Sequence, residues 1–263
     1  MVFFWSLFKM TEVYKMRDSW GKSRRLAKLK KDNYFLILAM DHALSNGPIS
    51  GISTINEVNK WVKFSEENHL PAVVLNHRYI YNLDVFHKTN IVVQTMGLTN
   101  SSGNINKVPL SNIDDMPLVD ASAISIQINF EAKNLEYAIQ SISNIVSQAN
   151  RYHYPVLFMV GNSDWKTAEA FNYAVRVCGE LGADLIKIHL PSNAQELQKL
   201  TPFHPNEPAL LLAGGESMSH FEERLQNAKN LGFQGICLGR NIFQSETPLE
   251  TLKIIDTIFK HSN

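Results

Sequence analysis

Lys187 lies in the run Ala183-Asp184-Leu185-Ile186-Lys187-Ile188-His189-Leu190, a single ammonium between isoleucines. On a strand, alternating parity would put Ile186, Ile188 and Leu190 on one face and Leu185, Lys187 and His189 on the other. An ammonium in an apolar interior is costly unless paired, and the neutral amine it can become attacks carbonyls, which is how Schiff-base lysines form. A lysine ion-paired to an internal carboxylate for structure alone would show the same pattern. Asp41 and His42 close another apolar run in Ala39-Met40-Asp41-His42-Ala43. There Asp41 could pair with Lys187 and carry protons to and from a substrate, while the same dipeptide also suits a turn or a helix cap. His42 and His189 are further candidate proton carriers. His77, at the end of another run, is a weaker one whose usual role is structural. Two glycine turns, Ala213-Gly214-Gly215 and Leu238-Gly239-Arg240, offer backbone N–H groups and a guanidinium to a phosphate.

These residues need a scaffold that carries them to one place. Eight short apolar runs follow Asn33: Tyr34 to Met40, Pro71 to Leu75, Asn90 to Thr95, Ala121 to Asn129, Pro155 to Val160, Ala183 to His189, Pro208 to Ala213 and Gly235 to Leu238. Amphipathic stretches lie between most of them, at Ile55 to Asn68, Leu135 to Asn150, Trp165 to Leu181 and Ser219 to Leu231, and Leu249 to Phe259 follows the last. Strand then helix, repeated, predicts parallel strands with helical crossovers. Eight such units fit a closed (β/α)8 TIM barrel, an α/β fold with its chemistry at the C-terminal ends of the strands. Residues 34–263 would form this single domain, and residues 1–33 a short N-terminal helical extension. A doubly wound open sheet is the runner-up, but no G-x-G-x-x-G follows the first run. In the fourth run Ile124, Ile126 and Ile128 alternate with Ser125, Gln127 and Asn129, which predicts isoleucines against helices and polar groups inside the barrel. The loops after strands seven and eight, where barrels commonly hold phosphate, carry the two glycine turns.

Composition narrows the partners. The 263 residues are 44% hydrophobic and 19% charged, and 25 basic against 25 acidic side chains give net charge +0, so no whole-chain field exists to hold nucleic acid or an anionic membrane. Cys178 and Cys237 both sit in apolar stretches, which suits buried reduced thiols and a cytoplasmic setting; with no C-x-x-C pair, no metal is expected. The apolar segment at Met1 to Met10 is far shorter than the roughly 20 residues of a membrane span and reads as a terminal packing segment. The basic run from Lys22 to Lys31 carries Leu26 and Leu29 at helical spacing and predicts a helix with a solvated basic face.

The motifs AMDHALSNGPISGI (39 to 52), GADLIKIHL (182 to 190), LAGG (212 to 215) and LGRNIFQS (238 to 245) resemble those of the barrel aldolases. That family includes archaeal-type class I fructose-bisphosphate aldolase, 2-amino-3,7-dideoxy-heptulosonate synthase and the thiolase acting on phosphorylated autoinducer-2. The resemblance runs from about Arg25 to Ile258. It implies Lys187 as the imine-forming lysine, Asp41 as an acid/base residue, and Gly214, Gly215, Gly239 and Arg240 around a substrate phosphate. It also implies C–C bond making or breaking in a phosphorylated keto compound without cofactor or metal, and homo-oligomers that form large rings such as decamers. Two positions depart from the pattern. Ala43 stands where the family usually has glycine, and Gly161 where the aldolases place a catalytic tyrosine, leaving His42, His189, Tyr79 or a water held by Asp41 as substitutes. LGRNIFQSETP is similar to the thiolase branch, SNGPISG to the heptulosonate synthase. Acetyl transfer to coenzyme A, and a catalytically silent barrel that binds a sugar phosphate, are the alternatives.

Overall fold

The computed structural model describes residues 19–84, 88–99, 105–161, 165–203, 207–215 and 220–260; the apolar segment at residues 1–10 lies outside them. Eight strands carry the fold: β1 (Tyr34–Ala39), β2 (Ala72–Asn76), β3 (Asn90–Gln94), β4 (Ala121–Ile128), β5 (Val156–Val160), β6 (Leu185–Ile188), β7 (Ala209–Ala213) and β8 (Gly235–Leu238). Each is parallel to the next, and β8 pairs with β1, so the sheet closes into a barrel. The closing seam depends on Gly235. It pairs with Phe35 at φ +156°, and a Cβ there would stand 2.1 Å from the Phe35 carbonyl oxygen. No larger residue fits that approach.

Helices α1 (Trp20–Lys28), α2 (Ile55–Glu67), α3 (Leu135–Arg151), α4 (Ala168–Glu180), α5 (Phe221–Asn230) and α6 (Pro248–Lys260) surround or cap the barrel. Their starts are written in the sequence. Thr54 and Glu57 form a reciprocal capping box on α2, and the Thr167 hydroxyl accepts the Ala170 N–H of α4. Between β2 and β3 the chain makes only a one-turn helix, His77–Ile80, within its described residues.

Two apolar cores follow the strand alternation. The outer one, between strands and helices, takes Ile124, Ile126, Ile128, Ile186, Ile188 and Leu190. The inner one fills the barrel with Phe35, Ile37, Val74, Leu157, Leu185, Leu211 and Cys237, among others. Lys187 is in register with Met159 and Leu211 on the two neighbouring strands, so it belongs to the inner face. Both cysteines are buried and free.

The basic N-terminal helix keeps Arg24 and Lys28 exposed, as a solvated face predicts, and buries none of its own residues, but other basic side chains of the run also reach the barrel. Leu29, at the end of α1, is fully buried in the inner core and closes the lower end of the barrel. Lys22 pairs with Asp184 at 3.0 Å, the Arg25 guanidinium lies 4.5 Å from the Tyr154 ring centroid, and Lys30 lies 4.8 Å from that of Phe35. The Tyr152 and His153 carbonyls each lie 3.4 Å from the Arg25 guanidinium, so Lys22 and Arg25 tie the helix to the barrel while Arg24, Lys28 and Lys30 stay exposed.

Candidate active site

A cavity of about 550 Å³ opens at the C-terminal mouth of the barrel. Alternation along β4, β5 and β6 delivers Gln127, Met159, Gly161, Lys187 and His189 to it; the turn after β1 delivers Asp41 and His42. All four side chains expected to do chemistry, Lys187, Asp41, His42 and His189, therefore line one space. His77 and Tyr79 do not: His77 packs beside Tyr81, with ring centroids 5.6 Å apart, and Tyr79 lies against the outer core.

Asp41 is 5% exposed. Its backbone carbonyl accepts from the Asn76 side chain at 2.9 Å, which pins the turn to β2. Burial acts to raise its carboxyl pKa, but the positive groups around it and its own backbone N–H outweigh burial and hold the carboxyl below the usual range. Those positive groups are His42, Lys107 and Lys187. Burial drives His42 down to about 4, so its imidazole is neutral at pH 7. Its Nδ1 stands 3.8 Å from Asp41 Oδ1, too far for a hydrogen bond, and the contact is not an ion pair at that pH. Lys107 and Lys187 are the two lysines that face Asp41. His189 is likewise brought to about 4 by burial, with Lys187, Arg224 and Arg240 adding to the effect.

Lys107 is the member that the sequence pattern missed. It lies on no barrel strand. After β3 the chain passes through Met96–Gly97, which pairs antiparallel with Val108–Pro109, and this short ribbon brings residues 105–107 back over the mouth. Asn106, 2% exposed, fixes the segment. Its side-chain oxygen accepts the Asn129 N–H at 2.6 Å, its side-chain amide donates to the Asn129 carbonyl at 3.1 Å, and its backbone N–H donates to the Asn134 side chain at 2.6 Å. Such mutual pairing of one side chain with a strand end mimics a ladder contact and leaves the neighbouring Lys107 aimed at the cavity. Burial pulls the Lys107 ammonium below its ordinary value, with Asp41 opposing and Lys187 adding to the fall.

The expected phosphate residues sit beside this space. Gly214 and Gly215 follow Ala213, which lines the cavity. The Gly215 N–H donates to the Asn241 side chain at 2.9 Å, tying the turn after β7 to the turn after β8. A Cβ on Gly239 would lie 2.5 Å from the Ala39 carbonyl oxygen and 2.8 Å from His42 Cε1, so this glycine lets the β8 turn close on the β1 turn. Arg240 begins the one-turn helix Arg240–Phe243. Gly161 opens the opposite wall, where Gln127 Nε2 lies 3.0 Å from the position of a Cβ. Among the described residues no group of three or more His, Cys, Asp or Glu is placed to hold a metal, and no helix is long and apolar enough to cross a membrane.

A closed parallel barrel with ionisable side chains gathered at its C-terminal mouth is the architecture of barrel enzymes. The chain belongs to the DeoC/LacD family of aldolases, whose sequence profile matches residues 35–245. It is 29% identical over 253 residues to a 3-hydroxy-5-phosphonooxypentane-2,4-dione thiolase of Enterobacter sp., covering 93% of this chain and 82% of that one. It is 26% identical over 250 residues to 2-amino-3,7-dideoxy-D-threo-hept-6-ulosonate synthase 1 of Archaeoglobus fulgidus, covering 92% of each. An archaeal fructose 1,6-bisphosphate aldolase superposes with a TM-score of 0.77 at 17% identity, over 92% of this chain and 100% of that chain. A Schiff-base-forming fructose-1,6-bisphosphate aldolase superposes at 0.78 and 18%, over 91% and 99%.

Proposed function

We propose that this aldolase makes or breaks a C–C bond in a phosphorylated keto compound through an imine on Lys187. The observation that carries the reading is the meeting of Lys187 and Asp41 in one cavity at the barrel mouth, reached from β6 and β1. The Lys187 amine attacks the carbonyl, and the iminium withdraws electrons from the bond being cleaved, so no metal or cofactor is part of the scheme. Asp41 balances the positive charge that persists through these steps. Gly239 and Arg240 form one side of a phosphate cup and Gly214 and Gly215 the other, with Asn241 joining the two. His42 and His189, neutral at pH 7, act as hydrogen-bonding partners of the substrate hydroxyls.

One relative is a thiolase acting on a phosphorylated dione, which favours a second reading in which the cleaved acyl group passes to coenzyme A. The space left by Gly161 is compatible with it. Residues 34–263 act as the single catalytic domain, with residues 1–33 as its extension. The buried free thiols suit a cytoplasmic enzyme, and the family resemblance supports assembly into a homo-oligomeric ring.

Borohydride reduction with dihydroxyacetone phosphate or fructose 1,6-bisphosphate, followed by peptide mass spectrometry, tests the reading. An adduct on Lys187, absent from Lys187→Ala, supports it. A wild-type protein that binds these compounds without an adduct is a silent barrel. Turnover that requires coenzyme A selects the thiolase.

A further inference from the structure

Asp41 faces two lysines, and only Lys187 has a part in the scheme above. Lys107 lines the same cavity, half-buried, on a segment held by four Asn106 hydrogen bonds of 2.6, 2.6, 3.1 and 3.3 Å. Residue 107 therefore reaches the site from a connection anchored to the end of β4. Both lysines are close enough to Asp41 to stabilise its carboxylate, and each disfavours charge on the other. One buried carboxylate compensates one ammonium well and two poorly.

We propose that Lys107 is a catalytic proton donor and acceptor, carrying the proton that imine formation on Lys187 consumes. The inference rests on the Schiff-base reading. When Lys187 attacks as a free amine, Lys107 is the ammonium, so one positive charge faces Asp41. The Lys187 nitrogen bonds to the carbonyl carbon, the π electrons move to oxygen, and the nitrogen's proton passes to that oxygen to give a neutral carbinolamine. Lys107 then donates its proton to the carbinolamine hydroxyl. The C–O bond breaks, water leaves, and the nitrogen lone pair forms the C=N bond of the iminium. The positive charge has moved from Lys107 to the iminium, and the charge facing Asp41 is the same before and after. No net charge is created in the cavity, which removes the desolvation cost that would otherwise oppose the step. Lys107, now a neutral amine, can accept the proton of the substrate hydroxyl as the C–C bond cleaves and its electrons pass into the enamine.

The burial that pulls the Lys107 ammonium below its ordinary value is of the sense a proton carrier needs. The titratable groups facing it are Asp41 and His42 from the turn after β1 and Lys187 from β6. His42, brought to about 4, is neutral while Lys107 titrates. This division of labour fits Gly161, which offers no hydroxyl at the opposite wall.

Rapid-quench borohydride trapping with dihydroxyacetone phosphate, on wild type, Lys107→Met and Lys107→Arg, tests the proposal; circular dichroism confirms that each variant is folded. The Lys187 adduct should form roughly a hundredfold more slowly in both variants, the scale of a lost general acid. The wild-type rate should fall at high pH as Lys107 deprotonates, a limb missing from both variants. Recovery of the wild-type rate in Lys107→Arg would reduce Lys107 to a fixed charge and overturn the proposal, as would an unchanged rate in Lys107→Met. An adduct on Lys107 would reverse the two roles and overturn it too. A wild-type protein with no adduct fails the Schiff-base reading itself, and this inference with it; a wild-type adduct on Lys187 with unaffected Lys107 variants fails this inference alone.

Discussion

The Asn241 side-chain oxygen accepts the Gly215 N–H at 2.9 Å, and a Cβ on Gly214 would lie 2.3 Å from that same oxygen. Two turns from different strands are joined by one buried amide that only glycine at 214 admits. A methyl group there also meets Leu238 Cβ at 2.9 Å, so neither neighbour can simply swing aside. Gly214→Ala should therefore break the Asn241 link and cost about 1–3 kcal/mol, the scale of overpacking. Because the link shapes the phosphate cup, KM for a phosphorylated substrate should rise about tenfold, equivalent to ~1.4 kcal/mol, with kcat changing less. Denaturant unfolding and steady-state kinetics check this. An unchanged midpoint and KM would mean that the link is incidental.

The strand elements and their parity were legible because a barrel strand is read twice: apolar on the helix side, and small, apolar or functional on the inner side. Ile186 and Ile188 against Lys187, and Ile124 and Ile126 against Ser125 and Gln127, carry that code in short local stretches. Asp41 and Lys187 could be paired from sequence since both fall at or near the C-terminal ends of recognisable strands. Lys107 could not, because residues 98–109 carry no period and the Asn106–Asn129 pairing joins positions 23 residues apart. A signal was available only in part, as Asn104 and Asn106 flanking Ile105 at the end of a polar run, before a lysine and a proline-ended pair. The solvated basic face expected of residues 22–31 holds for Arg24, Lys28 and Lys30 but not for Lys22 and Arg25, which are half-buried against the barrel. A helix that plugs a barrel end shows the same charge pattern as one in water, and only the presence of Asp184, Tyr154 and Phe35 beneath it decides.

Acid should unfold this protein early. His42 and His189 are both held at about 4 in the fold, chiefly by burial, whereas the unfolded chain titrates near 6.5. As pH falls from 6.5 towards 4, the unfolded chain binds protons that the fold refuses, so stability is lost across that window and levels off below it. At about 1.36 kcal/mol per pKa unit the loss is up to about 3 kcal/mol for each histidine. The Asp41 carboxyl, held below its usual value, adds a further loss as pH falls through its folded value. His189→Gln should flatten the stability profile between pH 6.5 and 4 by one histidine's share while leaving it unchanged near pH 8. Urea unfolding at a series of pH values measures the slope, and a variant as acid-sensitive as wild type would show that His189 is charged in the fold.

Leu29 is the apolar stopper of the barrel's lower end, at the face opposite the cavity, and it is fully buried among residues of the inner core. Leu29→Ala removes methyl groups from a site packed by inner-core side chains. The cost should be about 2–5 kcal/mol. Lys22→Ala should add to it, since Lys22 and Asp184 are only 12% and 13% exposed and the change removes their 3.0 Å ion pair. The cavity residues sit at the other end of the same strands, and keeping their positions requires only that the barrel stay closed. Well below the melting temperature kcat should therefore remain within about twofold of wild type in either variant, a difference under ~0.5 kcal/mol in barrier height. A large fall in kcat without loss of stability would instead mean that the lower plug sets the height of Lys187 in the cavity through the β6 strand that Asp184 precedes.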